Sequence, residues 1–167
     1  MNERIIEDLQ IAANFVPVDL SAGANNGVYV SLKNFNRLAI VLFKAAGASG
    51  EPPTITVQQA KDSSGTGAKA LNFTTLWKKE GSAVNAVGQW TRVTQSAANT
   101  YALAAGNTQA LVVIEFLSDN LDTSNGFWWV NASVGDVGAT AQLGCMFYLL
   151  DDGRFPDKPE NVPSPLV

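Results

Sequence analysis

The chain has 167 residues and a mass of 17.7 kDa, with 11 basic and 15 acidic residues, no histidine and a net charge of -4. That length suits one domain with its own core. The basic residues are scattered, Lys78-Lys79 being the only adjacent pair, which excludes the basic patch that direct nucleic-acid binding needs; the longest apolar run, residues 38–43, is strand-sized and far too short for a membrane span.

Residues 1–12 read as an N-terminal arm, a short helix with Ile5, Ile6 and Leu9 on one side. It is too short to be stable alone, so it is either a frayed terminus or an arm that folds against a partner. Its start lacks a basic stretch followed by an apolar core, so synthesis in a cytoplasm is expected. Residues 14–20 form a strand that Pro17 confines to an edge or bulge. Residues 21–27 are a loop by composition, and residues 28–32 a second strand. Residues 37–43 are apolar on both faces, which predicts a central strand covered on each side.

The clearest folding instruction comes next. Residues 54–60 alternate, with Ile55 and Val57 on one face and Thr54, Thr56 and Gln58 on the other. Turn formers follow in residues 61–67, where Asp and Ser bond their own backbone and Gly reaches positive φ. The return run, residues 68–77, places Leu71, Phe73, Thr75 and Trp77 on a common face, predicting a hairpin. Residues 89–94 form another alternating strand, with a short irregular strand near Tyr101. Residues 110–117 are a second core strand in which Glu115 is expected to face an edge or find a partner, since an unpaired buried carboxylate is costly. Residues 127–133 and 140–150 complete the set, Asp151-Asp152-Gly153 is a turn, and the prolines from Pro156 onward mark an extended tail.

Eight or nine strands at short spacing predict an all-β, β-sandwich or jelly-roll-like domain over residues 13–153, flanked by the arm (1–12) and a proline-rich C-terminal tail (154–167).

No constellation states a chemistry. The absence of histidine removes the Ser-His-Asp triad, the Cys-His pair and histidine metal sites, and Cys145, alone in an apolar run, reads as a buried structural thiol. Glu115 with Asp119, Asp122 or Asp136 is a conceivable glycosidase pair, but nothing ties them to one cleft. A calcium site built from Asp119, Asp122, Asp151 and Asp152 is chemically possible, since calcium takes carboxylate and carbonyl oxygens, but their spacing matches no EF-hand loop. Neither catalytic residues nor cofactors are therefore expected. Of Trp77, Trp90, Trp128 and Trp129, most are expected in the core; the competing reading is a sugar-stacking platform. Trp128 and Trp129, adjacent in a strand, must point to opposite faces.

The hairpin sequence of residues 55–71, the Phe127-Trp128-Trp129-Val130 run and the closing Gly144-Cys145-Met146-Phe147-Tyr148-Leu149 strand resemble stretches of small virion structural proteins of tailed bacteriophages, most of all capsid decoration (cement) proteins. The resemblance spans residues 36–150 as a texture rather than a diagnostic motif, and the proline-rich tail departs from it. It implies a non-enzymatic protein on the capsid surface of the virion that binds the major capsid protein or other virion proteins and forms a homo-oligomer. The expected contact residues are Ile5, Ile6 and Leu9 in the arm and Pro163, Pro165, Leu166 and Val167 in the tail. Two alternatives stand beside it: a low-copy tail or head-tail connector component, and a β-sandwich carbohydrate-binding module.

Overall fold

Strands form where the period-two alternation is cleanest. The computed structural model describes residues 5–153 and 163–166. After one helical turn, α1 (Ile5–Asp8), come β1 (Gln10–Asp19), β2 (Val30–Ser31), β3 (Phe35–Lys44), β4 (Thr54–Ala60), β5 (Lys69–Ala70), β6 (Phe73–Gly81), β7 (Thr91–Ala98), β8 (Thr100–Ala102), β9 (Gln109–Leu117), β10 (Trp129–Val134) and β11 (Leu143–Gly153). Two antiparallel sheets stack as a sandwich, as predicted. One has six strands in the order β1-β11-β3-β9-β6-β7; the other runs β2-β10-β4-β5, with β8 also paired to β4.

The core lies between them. Leu38, Ile40 and Leu42 of β3, Val112, Ile114 and Phe116 of β9 and Met146, Tyr148 and Leu150 of β11 meet Ile55 and Val57 of β4 and Val130, Ala132 and Val134 of β10. Each large apolar side chain buried this way contributes about 1.5–3 kcal/mol. β1 is the outer strand of its sheet, and its pairing with β11 slips between Phe15 and Val18, where Pro17 sits. A residue without an N–H is tolerated there because no ladder bond is lost.

Four sequence-based expectations change. The hairpin return run divides: β5 pairs with β4, whereas β6 crosses to the other sheet and lies between β9 and β7. Within β6 the alternation also breaks. The β6–β7 register shifts between Phe73 and Thr75, so Phe73 and Leu76 are buried while Trp77 faces outward. A one-residue change of phase moves every following side chain to the opposite face. The predicted turn at Asp151-Asp152-Gly153 is instead the end of β11, with Asp152 at φ 55°. Finally, strand structure already begins at Gln10, inside the stretch expected to be the arm.

One gap in the second sheet is closed by side chains. β2 pairs with Trp129 and Val130 only, and the next bridge is Asn25 to Val134. Between them, the Ala132 carbonyl accepts from the buried Asn14 Nδ2 at 2.7 Å, and Asn14 Oδ1 accepts the Val28 N–H at 3.0 Å. Gly27 passes this point at φ 63°, where a Cβ would lie 1.7 Å from Asn14 Oδ1 and 2.6 Å from the Ala132 oxygen. Only glycine fits.

Candidate functional site

The two sheets differ in what they turn outward. The second sheet shows Thr54, Thr56 and Gln58 of β4 and Ser133 of β10, a neutral polar surface that water solvates. The six-stranded sheet does the opposite. Its outward rows run from Ile11 through Leu149 to Ala39 and Glu115, and from Phe147 through Val41 and Val113 to Trp77. Phe43 lies between Cys145 and Leu111 in the next row. Ile11, Phe43, Trp77, Trp90, Leu117 and Leu143 are each between 37% and 61% exposed.

This face explains the double-sided hydrophobicity of residues 37–43. The alternation calls for cover on both faces, yet within the described chain cover comes on one: Leu38, Ile40 and Leu42 are buried, while Phe43 is 46% exposed. Val41, on the outward side, is buried, at 4% exposure. Large contiguous apolar surfaces of this kind mark binding sites on soluble proteins.

Polar groups sit among and around the apolar rows. The Arg37 guanidinium lies 3.8 Å from the Asp151 carboxylate, with both side chains substantially exposed. Glu115 is neither at an edge nor ion-paired among the described residues; it projects from the inner strand β9 on the exposed side, where water removes the cost of its charge. Lys79 Nζ stands 5.1 Å above the Trp90 ring, a cation–π contact.

Two open depressions mark the face. One, of about 420 Å³, includes Leu9, Arg37, Ala39, Leu117, Leu149 and Asp151 in its lining. The other, of about 370 Å³, is lined by Trp77, Trp90, Val113 and Glu115. The tryptophans thus depart from the expectation of a mainly core role. Trp129 is buried and Trp128 half-buried, whereas Trp77 and Trp90 are exposed.

The sequence-predicted contact residues fall in two separate places. Ile5 and Ile6 are 81% and 50% exposed on α1, and Leu9 reaches the margin of the outward face. Pro165 is buried against the other sheet, its carbonyl accepting the Ser31 N–H of β2 at 2.7 Å. Pro163 is half-buried, Leu166 is 44% exposed, and Val167 lies outside the described residues. The arm and tail residues are therefore not brought together. Sequence reasoning missed Ile11, Phe43, Leu117 and Leu143. For Phe43 the signal lies in the apolar second face of its strand, which predicts cover without saying from where, whereas Ile11 falls in the stretch expected to be the arm.

Other charged groups are engaged structurally. Lys44 is buried and donates to the carbonyls of Gly106 and Thr108; burial pushes its ammonium down, opposed by the nearby Glu80. Burial pushes the Glu80 carboxyl up, but hydrogen bonds from Lys78 and Thr108, with the charges of Lys78 and Lys44, outweigh it and leave it below the usual range. Asp122 is held down by hydrogen bonds from Lys69 and Asn125. Cys145 is half-buried on the outward face, where burial pushes its thiol up, away from the reactive thiolate. Among the described residues no three His, Cys, Asp or Glu side chains gather in a way that could hold a metal ion. No described helix is long and apolar enough to cross a membrane.

No protein-family model matches the chain, and no curated protein matches it. Among solved structures it is similar to the SPBc2 prophage-derived protein YomS, at 12% identity and a TM-score of 0.47, over 87% of this chain and 94% of that one.

Proposed function

We propose that this chain is a non-enzymatic structural protein of a bacteriophage virion that binds and stabilises the capsid shell. The observation that carries the assembly role is the uncovered apolar face of the six-stranded sheet, which demands a protein surface against it. The virion setting is supported by the sequence resemblance to small phage structural proteins. A component that binds only the assembled lattice stabilises it by mass action, and many repeated copies add avidity. Leu9 at the edge of the face, with Ile5 and Ile6 beside it, would extend the contact. Quantitative mass spectrometry of purified particles tests this reading. A ratio near one copy per major capsid subunit, or a simple fraction of one, supports shell decoration. A handful of copies per particle points to a tail or connector component, and absence from particles overturns the virion role.

A second reading is favoured by one specific observation. Trp77 and Trp90 line one depression with Glu115, and exposed aromatic rings beside a carboxylate suit stacking and hydrogen bonding to a sugar. Titration with glycans should shift tryptophan fluorescence if this site binds carbohydrate, and leave it unchanged otherwise.

A further inference from the structure

We propose that the outward face of the six-stranded sheet seats a second copy of this chain, face to face about a two-fold axis. The inference rests on the assembly reading above and names the occupant of its surface.

Area is the first argument. With aromatic side chains presenting roughly 150–250 Å² each, and aliphatic ones somewhat less, Ile11, Phe43, Trp77, Trp90, Leu117 and Leu143 on this face leave roughly 500–600 Å² bare. This is already at the upper end of the largest patch on a typical monomer, about 300–600 Å². Half-buried Ala39, Val113, Phe147 and Leu149 lie between them and bring the face close to the ~800 Å² that each partner gives a standard interface. The surface is a sheet, and sheets pack face to face through their side chains, typically about 10 Å apart; the two sheets of this domain already meet face to face around the core.

Charge is the second argument. The chain carries a net charge of -4, yet this face does not share that bias. Arg37, Lys79 and Arg92 stand with Glu115 and Asp151 on its rows and margins. A surface matched to a strongly basic or acidic partner would carry one sign. A surface with both signs can pair with its own rotated copy, because a two-fold interface places the same patch on both sides.

The segment that follows β11 is poorly suited by composition to cover an apolar face. The nine residues between Gly153 and Pro163 include four charged residues and two prolines, with Phe155 and Val162 as their only large apolar side chains. Their flanking points are Gly153, at the end of β11, and Pro163, two residues before the Pro165 carbonyl that is bonded to β2 of the other sheet.

Sedimentation-velocity ultracentrifugation of the full chain across the micromolar range tests the inference, with Phe43→Glu and Leu117→Glu as face variants and Val28→Glu as a control away from the face. Both face positions are solvent-exposed, and circular dichroism checks that each variant remains folded. The expected result is a dimer for the parent and for Val28→Glu. Since each substitution appears twice in the interface, the face variants should bind at least about a hundredfold more weakly and sediment as monomers. A folded parent that stays monomeric, or face variants that remain dimeric, would overturn the inference. Co-sedimentation with empty shells separates it from the virion reading: a monomer that binds shells removes the dimer and leaves that reading standing. A dimer that ignores shells supports the present inference and counts against capsid binding.

Discussion

The Tyr148 hydroxyl accepts the backbone N–H of Ala132 at 3.0 Å and donates to the Val28 carbonyl at 2.8 Å, so one side chain of the six-stranded sheet completes the broken ladder of the other. Tyr148 is fully buried, and burial pushes its phenol far above the ordinary value of 10.0.

Replacing Tyr148 with Phe keeps the ring and leaves the Ala132 N–H and Val28 carbonyl without this partner. A loss of about 1–3 kcal/mol is expected in denaturant unfolding, chiefly the cost of the orphaned buried Ala132 N–H, since the Val28 carbonyl keeps the Asn131 Nδ2 donor at 3.2 Å. The parent should also lose stability as pH rises above the tyrosine range of about 10, because the unfolded state releases the phenolic proton first. Tyr148→Phe should show a smaller alkaline loss, measured as unfolding midpoint against pH.

Gly27→Ala tests the same seam from its backbone. The added methyl collides with Asn14 and the Ala132 carbonyl at a left-handed backbone position. A loss of about 3 kcal/mol or more is expected, combining left-handed strain with displaced buried hydrogen bonds. Gly135→Ala, where a Cβ meets nothing within 4 Å and φ is ordinary, should change the unfolding midpoint little.

Acid should loosen the approach to β11. The Asp19 carboxylate accepts N–H groups of Gln142 and Ser21, and Glu51 accepts those of Ala139 and Thr140. These bonds hold both carboxyls below their ordinary values of 3.8 and 4.5. A depressed carboxyl adds stability that is fully present above its unfolded value and lost as pH falls through its folded one. Thermal midpoints should therefore fall below about pH 4–5. With no histidine in the chain, no histidine-linked step should appear between about pH 5 and 8. Glu51→Gln should flatten part of the acid slope.

Removal of residues 154–167 takes away the Pro165 carbonyl that caps Ser31. The sandwich should remain folded, because among the described residues the core cluster lies before Gly153, but about 1–2 kcal/mol is expected to be lost. Hydrogen exchange should report faster exchange at the Ser31 amide in the truncated chain.

Much of the architecture was legible because period-two alternation is a local property. Thr54–Ala60 was read with its observed bounds, and Pro17 placed its strand at a sheet edge because a missing N–H is intolerable inside. The candidate site was legible only in part. Phe43 and Leu117 showed themselves as apolar residues on a second strand face, but alternation cannot say whether the cover comes from the same chain or another. Trp77 was assigned to the wrong face because the shift between Phe73 and Thr75 reverses the alternation after it. That shift depends on pairing with β7, which lies outside any local window.

Residue order alone therefore determined an all-β chain, the places where strands form, and the absence of histidine-based chemistry. Those properties depend on neighbouring residues and on composition. Tertiary structure decided that β6 leaves β4 for the other sheet, that Asn14 and Tyr148 mend the gap at Ala132, and that one sheet turns an apolar face to solvent. The physical reason is that these depend on pairings between residues far apart in the chain, where register and burial are set together and no local pattern records the outcome.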